Sequence, residues 1–418
     1  MNVAILHYAA PPVVGGVEQT LYYHALELTR AGHAVCITTG QGAPFDPRVR
    51  VTIVPEFGSR HADVLAVKRQ LDQGNVTAEF ATLRNRLVAS LSDVLADVDA
   101  LIAHNVFTLH KNLPLTAALH QLVHGQNHNQ STAVGRLQSA VVLAWHHDLA
   151  WDDPRYAGDV HDGYPWDLLR TPWPGVRHVT VSSAQRERLS KLYSIPVEQI
   201  TVVPPGVDPA RFFGWTGITQ QIVDTLHLLD ADMLFLLPAR ITRRKNVELA
   251  LRILAAFRAE TKLDARLIVT GPPGAHNPAN ASYLQSLLDV RRDLGLADAA
   301  HLLYEQHVTP DDDTMADLYQ LADALLFPSA QEGFGIPILE AGLARLPIFC
   351  ADIPPLRETG QGAAHFFDLH SDPAAIAGDM AEVLERDAAH RLRRQVLARF
   401  TWRRIVEERV IPLLHPNH

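Results

Sequence analysis

Residues 1–40 read MNVAILHYAAPPVVGGVEQTLYYHALELTRAGHAVCITTG. Val3-Ala4-Ile5-Leu6 is a short unbroken apolar run, the pattern of a strand buried on both faces of a parallel sheet. A Pro/Gly loop follows, from Pro11 to Gly16. Val17, Leu21, Ala25 and Leu28 then recur at helical spacing up to Gly32, and His33 to Thr39 is a second strand closed by Gly40. The unit is strand, loop, helix, strand, with its glycines at the helix start, which sets the class as α/β.

Working outward, Ala100–Ala103, Val141–Trp145, Val179–Ser182 and Ile200–Val203 read as strands, and residues 76–97 carry a helical pattern. The first half is predicted to be a helix-covered, mostly parallel sheet. The alternation breaks at Val203-Pro204-Pro205-Gly206-Val207-Asp208-Pro209, where three prolines and a glycine in seven residues stop any element. A second set follows: strands 233–237, 266–270, 324–327 and 347–350, with helices over 247–257, 283–294 and 336–344. The expected domains are 1–210, 211–395 and a helical segment 396–418 that crosses back to the first. Two such sheets would face each other across a cleft between their strand C-terminal ends.

The 418 residues carry 37 basic and 46 acidic side chains, a formal charge of −9, which argues against a nucleic-acid binder. Two cysteines, Cys36 and Cys350, exclude a disulfide framework, and a reducing compartment is the default. No apolar run approaches ~18 residues and no basic leader precedes the first strand, so a cytoplasmic, soluble chain is expected.

The richest constellation is Pro328-Ser-Ala-Gln-Glu332-Gly-Phe-Gly-Ile-Pro-Ile-Leu-Glu340. Phe327 ends a strand, and Pro337 sits just inside a helix start, where its missing N–H costs nothing. Gly333-Phe334-Gly335 leaves backbone N–H groups at that helix N-terminus, an anion site by geometry and dipole. Glu332 and Glu340 would then face something neutral or cationic, such as sugar hydroxyls on either side of a diphosphate. Read alone, the pair fits a helix-terminal carboxylate and a solvated glutamate equally well. Arg240 follows strand 233–237, with Lys245 five residues on, before the next helix. The two place a guanidinium fork and a point charge at a strand's C-terminal edge. By itself that run is also a plain basic loop, with Arg243 and Arg244 beside it.

Here the sequence resembles the retaining family-4 glycosyltransferases of the GT-B fold. Glu332-Gly-Phe-Gly-Ile-Pro-x-x-Glu340 is similar to that family's E-x7-E element, and Arg240 and Lys245 to its diphosphate-gripping pair. Gly15-Gly16-Val17-Glu18 resembles its N-terminal Gly-Gly loop. Val203-Pro-Pro-Gly-Val-Asp208, with Phe212 behind it, resembles its linker motif, and Val269-Thr-Gly271 its second C-domain strand. The elements run in order from residue 1 to about 360. The resemblance implies a nucleotide-sugar donor held by Gly15, Gly16, Gly271, Gly333, Phe334, Gly335, Ile336 and Glu340. It implies catalytic roles for His147, Arg240, Lys245 and Glu332, with protein cations in place of a metal: Glu332 on the transferred sugar, Glu340 on the ribose, and Arg240 and Lys245 on the departing diphosphate. Asp311-Asp312-Asp313 could suggest a metal, but acidic residues opening a helix favour its dipole.

In the first half, strand 141–145 ends at His146-His147-Asp148. A strand alternates faces, so only one of the two histidines can point into the cleft. The family pattern favours His147, for donor-sugar positioning. His104-Asn105 ends another strand and could touch the acceptor. His104, His110, His120, His124 and His128 crowd one region, and solvated loop and helix histidines are a better reading than a metal cluster. Residues 150–174 form a long loop holding Trp151, Trp166 and Trp173, with Tyr156 and Tyr164. Its rings either pack onto the sheet or form a sugar-binding surface, and Trp151 and Trp166 are the candidates for the acceptor.

The expected activity is transfer of a hexosyl unit from a nucleotide sugar to an acceptor hydroxyl with retention of configuration. The acceptor is expected to be a soluble sugar or glycoside, since the stretch 76–97 forms no polybasic face for a membrane. No metal, cofactor, nucleic-acid partner or membrane partner is expected. Two alternatives share the phosphate features: a nucleotide-sugar epimerase of the same fold and a non-catalytic nucleotide-binding protein. A dinucleotide dehydrogenase fits less well, because Gly-x-Gly-x-x-Gly is absent after the first strand.

Overall fold

The computed structural model describes residues 1–125, 139–274 and 279–415; His128 lies outside them. The chain divides into two compact units, Met1–Gly206 with Phe400–His418, and Val207–Arg399.

The first unit holds seven strands: β1 (Asn2–His7), β2 (Ala34–Thr39), β3 (Arg50–Ile53), β4 (Ala100–His104), β5 (Val141–His146), β6 (Val176–Thr180) and β7 (Ile200–Val202). They form one parallel sheet in the order β3-β2-β1-β4-β5-β6-β7. Side-chain alternation along β1 divides the core. Ala4 and Leu6 face a layer built from the helices Ala62–Leu71, Ala78–Val94 and Leu113–His124. Val3 and Ile5 face the helix Gly16–Arg30 and the C-terminal segment, which inserts Val406, Val410 and Leu414. That segment is also pinned by Trp402 stacked on Tyr23 at 5.0 Å, and by Arg177, whose guanidinium donates to the Leu413 and His415 carbonyls.

The second unit holds β8 (Met233–Leu237), β9 (Ala265–Val269), β10 (Ala300–Leu302), β11 (Ala324–Phe327), β12 (Ile348–Ala351) and β13 (His365–Phe367). These too are parallel, in the order β10-β9-β8-β11-β12-β13. β8 and β11 are buried at every position, as two-sided cover requires. Each sheet reverses its winding once, between β1 and β4 and between β8 and β11. Loops leaving the C-terminal ends of such a strand pair diverge and open a crevice for a ligand.

Strands 233–237 and 324–327 and the helix starts at 247 and 336 lie where the sequence pattern puts them. The strand expected at 179–182 instead runs Val176–Thr180, because Ser182 caps the next helix: its hydroxyl accepts from Gln185 N at 3.1 Å. β3, β10 and β13 are strands the sequence pattern did not announce. They are three or four residues long and lie on or next to a sheet edge, with too few apolar positions for a pattern. Among the described residues no helix is long and apolar enough to cross a membrane.

Candidate functional site

In the second unit the winding reverses between β8 and β11, and the loops that follow these two strands carry the candidate residues. The β8 loop carries Arg240 and Lys245; the β11 loop carries Glu332 to Gly335. The two loops are tied together through their backbones. Ala330 N–H donates to the Arg244 carbonyl at 2.8 Å, and the Arg244 guanidinium donates to the Gln331 carbonyl at 3.1 Å. Across this junction the Lys245 ammonium donates to Glu332 Oε1, and each side chain is about 10% exposed. The ammonium also stands 5.0 Å from the centroid of the buried Phe327 ring, a cation–π contact in a poorly solvated place. Arg244 reaches within 3.7 Å of Glu332 Oε2. Arg240 is exposed.

Two glycines are demanded by the backbone here. A Cβ on Gly271, just past β9, would lie 2.6 Å from the Ala239 carbonyl oxygen and 2.7 Å from Arg240 Cα. Only a bare Cα lets the Arg240 loop lie so close. Gly335 has φ +98°, in the left-handed region, and a Cβ there would meet Leu356 at 2.6 Å. Gly335 precedes the helix Ile336–Leu343 and gives it no side-chain cap. At that helix start Pro337 has no N–H, and Ile338 N–H donates to the Gly335 carbonyl at 3.0 Å. Phe334 and Ile336 are exposed, and the Phe334 carbonyl is held by the Thr359 hydroxyl.

Glu340, one turn into the helix, is held from outside it. The Tyr319 hydroxyl donates to Glu340 Oε2 at 2.5 Å, and burial together with this carboxylate pushes the Tyr319 phenol above its ordinary range. Tyr319 lies on the helix Asp312–Leu321, whose start explains the aspartate run. Asp311 accepts from Thr314 N at 2.9 Å as the cap, with Asp312 and Asp313 in the first turn.

The first unit places a histidine at the C-terminal end of each central strand. His7 Nδ1 donates to the His104 carbonyl at 2.9 Å, across the reversal between β1 and β4. His104 Nδ1 and His147 Nε2 share a hydrogen bond of 2.9 Å. Strand alternation separates the neighbouring pair as expected: His146 turns away, bonding Thr108 Oγ1 at 3.0 Å and His178 Nδ1 at 3.1 Å. Asn105, at φ 61°, holds the loop beyond β5. Its Oδ1 accepts from His147 N at 2.8 Å and Asp148 N at 3.0 Å, while its Nδ2 donates to the Asp148 carboxylate at 2.9 Å. Burial lowers His7 to about 4 and His147 to about 3, and pulls His104 and His146 well down. The cluster is therefore uncharged near neutral pH. Gly15 and Gly16 open the helix after β1, and Glu18 in its first turn lies 4.0 Å from His7 Nε2.

Several sequence expectations for this unit are corrected. His104 and Asn105 are 0% and 2% exposed, so neither reaches an acceptor; they hold His147 and Asp148 instead. Trp166 is 2% exposed and belongs to the core, so it offers no face to a sugar. Trp151 donates from its indole nitrogen to the Trp166 carbonyl at 3.1 Å, and the Arg170 guanidinium covers its ring at 4.1 Å. The 150–174 segment thus packs Trp151, Trp166, Trp173 and Tyr156 against the core and leaves Tyr164 exposed, with short turns over Pro154–Tyr156 and Trp166–Leu169. Among the described histidines of this region, His104 and His110 are buried and His120 and His124 are half-buried. His120 packs edge-on to Trp173 at 4.8 Å.

The sequence reading passed over His7, Tyr319, Phe327 and the bridging part of Arg244. His7 had a positional signal, as the last residue of the first strand; the other three depend on contacts that no local pattern carries.

Comparison with known proteins fits both halves. The family model "Glycosyltransferase Family 4" matches residues 14–211, and "Glycosyl transferases group 1" matches residues 223–397. The mannosylglucosylglycerate synthase of Petrotoga mobilis is 24% identical, over 62% of this chain and 61% of its own. A D-inositol 3-phosphate glycosyltransferase of Stackebrandtia nassauensis is 28% identical, over 54% and 50%. The mannosylglucosylglycerate synthase of Thermotoga maritima is 23% identical over 85% and 83%. The chain thus spans about three fifths and one half of the first two relatives' lengths. With one family model on each of its two parallel-sheet units, the chain belongs to the group 1, family-4 glycosyltransferases and has their GT-B fold.

Proposed function

We propose that this glycosyltransferase moves a hexosyl unit from a nucleotide sugar to an acceptor hydroxyl with retention of configuration. The observation that carries the reading is the Lys245–Glu332 pair, buried across the winding reversal of the second sheet beside a helix start with no side-chain cap. Lys245, Arg240 and the helix N–H groups would meet the diphosphate, where negative charge grows as the glycosidic bond breaks. Glu332 would take hydroxyls of the transferred sugar, and Glu340, braced by Tyr319, the ribose. With protein cations on the leaving group, the reaction proceeds without a metal.

Retention is assigned to same-face attack, the departing phosphate taking the acceptor proton. Asp148, the carboxylate next to His147, is turned onto Asn105 Nδ2 and serves its own loop rather than acting as a nucleophile. Relatives named mannosylglucosylglycerate synthase and D-inositol 3-phosphate glycosyltransferase support a small, soluble, hydroxyl-rich acceptor. A thermal-shift screen against UDP-, GDP- and ADP-sugars tests the donor. A true donor at ~100 times its Kd adds ~2.7 kcal/mol of stability. Product anomer analysis by NMR then decides retention. An epimerase would turn over the donor with no acceptor present, and a non-catalytic binder would shift the melting point and turn over nothing.

A further inference from the structure

We propose that His104 is a positioning residue that locks His147 into the tautomer with its proton on Nδ1, so that His147 meets the substrate as a hydrogen-bond donor and not as a base. This deepens the proposed function, since it takes His147 to be the first unit's contribution to the transfer site.

The assignment follows from counting donors and acceptors around buried rings. A neutral imidazole has one N–H and one lone pair. Burial keeps His104 and His147 neutral, so the 2.9 Å contact between His104 Nδ1 and His147 Nε2 has one donor and one acceptor. The direction is set by the far side of His104. Its Nε2 is buried and has no hydrogen-bond partner among the described residues. It lies in a nest of rings, with His24 at 5.5 Å and Trp145 at 5.5 Å between centroids. His24 must itself carry one ring N–H, and both of its nitrogens are buried without a partner. That pocket already contains an orphan donor. A second one, on His104 Nε2, is the costlier arrangement, because unpaired buried N–H groups are rarer than unpaired acceptors. The His104 proton is therefore on Nδ1 and points at His147. His147 Nε2 receives it and is bare, which leaves its own proton on Nδ1.

The surroundings reinforce this polarity. His7 Nδ1 must donate, because its partner is the His104 carbonyl. That bond fixes the backbone of His104, and the two Asn105 contacts fix the backbone of His147 and Asp148. Both backbones are thus fixed, and the bond between His104 Nδ1 and His147 Nε2 joins the two rings. His147 is the half-buried member of the set, whereas His7, His104 and His146 are buried. Its Nδ1–H can be given to an oxygen of the donor, a hydroxyl or a phosphate oxygen, and it has no lone pair left with which to take the acceptor's proton.

The tautomer is directly measurable on the intact chain, without catalysis. With 15N-labelled histidine, long-range 1H–15N correlations at pH 7.5 distinguish a protonated Nδ1 from a protonated Nε2, and the His147 signals are those lost in His147→Gln. The expected result is protonated Nδ1 and bare Nε2 on His147. A proton on Nε2, or an even mixture, overturns the proposal. His104→Asp supplies an acceptor where His104 offers a donor. In it the His147 proton should move to Nε2, with kcat/KM for the donor falling by ~10²-fold, the usual loss for one transition-state donor. Unchanged kcat/KM alongside a moved proton would leave the tautomer assignment standing and remove His147 from the transfer site. If His104→Asp does not fold, the native spectrum alone decides the tautomer.

Discussion

Lys245→Met separates what the buried pair does for folding from what it does for binding. Methionine keeps an unbranched stem against Phe327 and removes the charge. For folding, Glu332 is left about 10% exposed, with only the Arg244 guanidinium at 3.7 Å. Removing one partner of a buried pair costs ~3–5 kcal/mol. Arg244 is half exposed, so it recovers no more than the ~0–1 kcal/mol of a surface pair. A net loss of ~2–5 kcal/mol lowers the melting point of a unit this size by on the order of 10 °C. For binding, a missing cation on a diphosphate is worth ~2–4 kcal/mol, or roughly 30- to 1,000-fold in affinity. The double variant Lys245→Met/Glu332→Gln should regain most of the melting temperature, because no lone charge stays buried, and none of the affinity. Calorimetric melting and isothermal titration with UDP, GDP and ADP measure the two effects on the same samples. A single variant that binds every nucleotide as the parent does would remove Lys245 from the donor site. A single variant that melts with the parent would show that Glu332 was never dependent on its partner.

Four other outcomes follow from the same structure. Transfer activity should survive EDTA, because cations come from Arg240, Lys245 and a helix start; a loss of more than ~90% restored by Mg²⁺ or Mn²⁺ would contradict this. Tyr319→Phe removes the bond to Glu340 Oε2 and should raise the donor KM by ~2–10-fold, equivalent to ~0.5–1.5 kcal/mol, with kcat little changed; a fall in kcat alone would separate Tyr319 from donor binding. Trp166→Ala should cost ~3–5 kcal/mol of stability and leave acceptor KM unchanged, and a selective rise in that KM would return the loop to the acceptor site. Stability of the first unit should fall as pH drops from 6.5 toward 5. His7, His24, His147 and His178, lowered to about 4, 3, 3 and 4, stay neutral when folded but take up protons when unfolded. Each contributes up to ~1.4 kcal/mol per pH unit in that window, and melting curves flat across it, or no shallower in His24→Phe, would disprove the assignment.

The fold was legible because parallel sheets write themselves locally. β1, β4, β8 and β11 are buried on both faces, so their residues are apolar whatever their partners, and the helix between β1 and β2 shows its period within fifteen residues. Edge strands lack that pressure, and β3 has no fully buried position. The candidate site of the second unit was legible for a related reason. Its helix start, its glycines and its cations each occupy short contiguous runs, because a strand and the loop after it are continuous in sequence. What the sequence could not state is that Lys245 and Glu332, 87 residues apart, close on each other.

The first unit's site was read by residue type, and residue type misled. His104 and Asn105 are polar residues at a strand end, which suggested contact with a ligand; Trp166 is an aromatic in a long loop, which suggested stacking. Both inferences assume exposure, and exposure is a long-range property. His104 is buried because helix Gly16–Arg30 lays His24 beside it and β5 lays Trp145 beside it, elements about 80 and 40 residues away. Asn105 is buried because the chain after β5 turns back onto its amide. Nevertheless, strand alternation required His146 and His147 to face opposite ways, the family resemblance pointed to His147, and the same alternation gives the two rings their different environments. One bonds inward to Thr108 and His178, and the other bonds His104 at the end of β4. A uniformly neutral cluster of this kind carries no positive charge near neutral pH. If the first unit acts on the donor sugar, it does so through directed N–H groups, and the cations that meet the leaving diphosphate must come from the second.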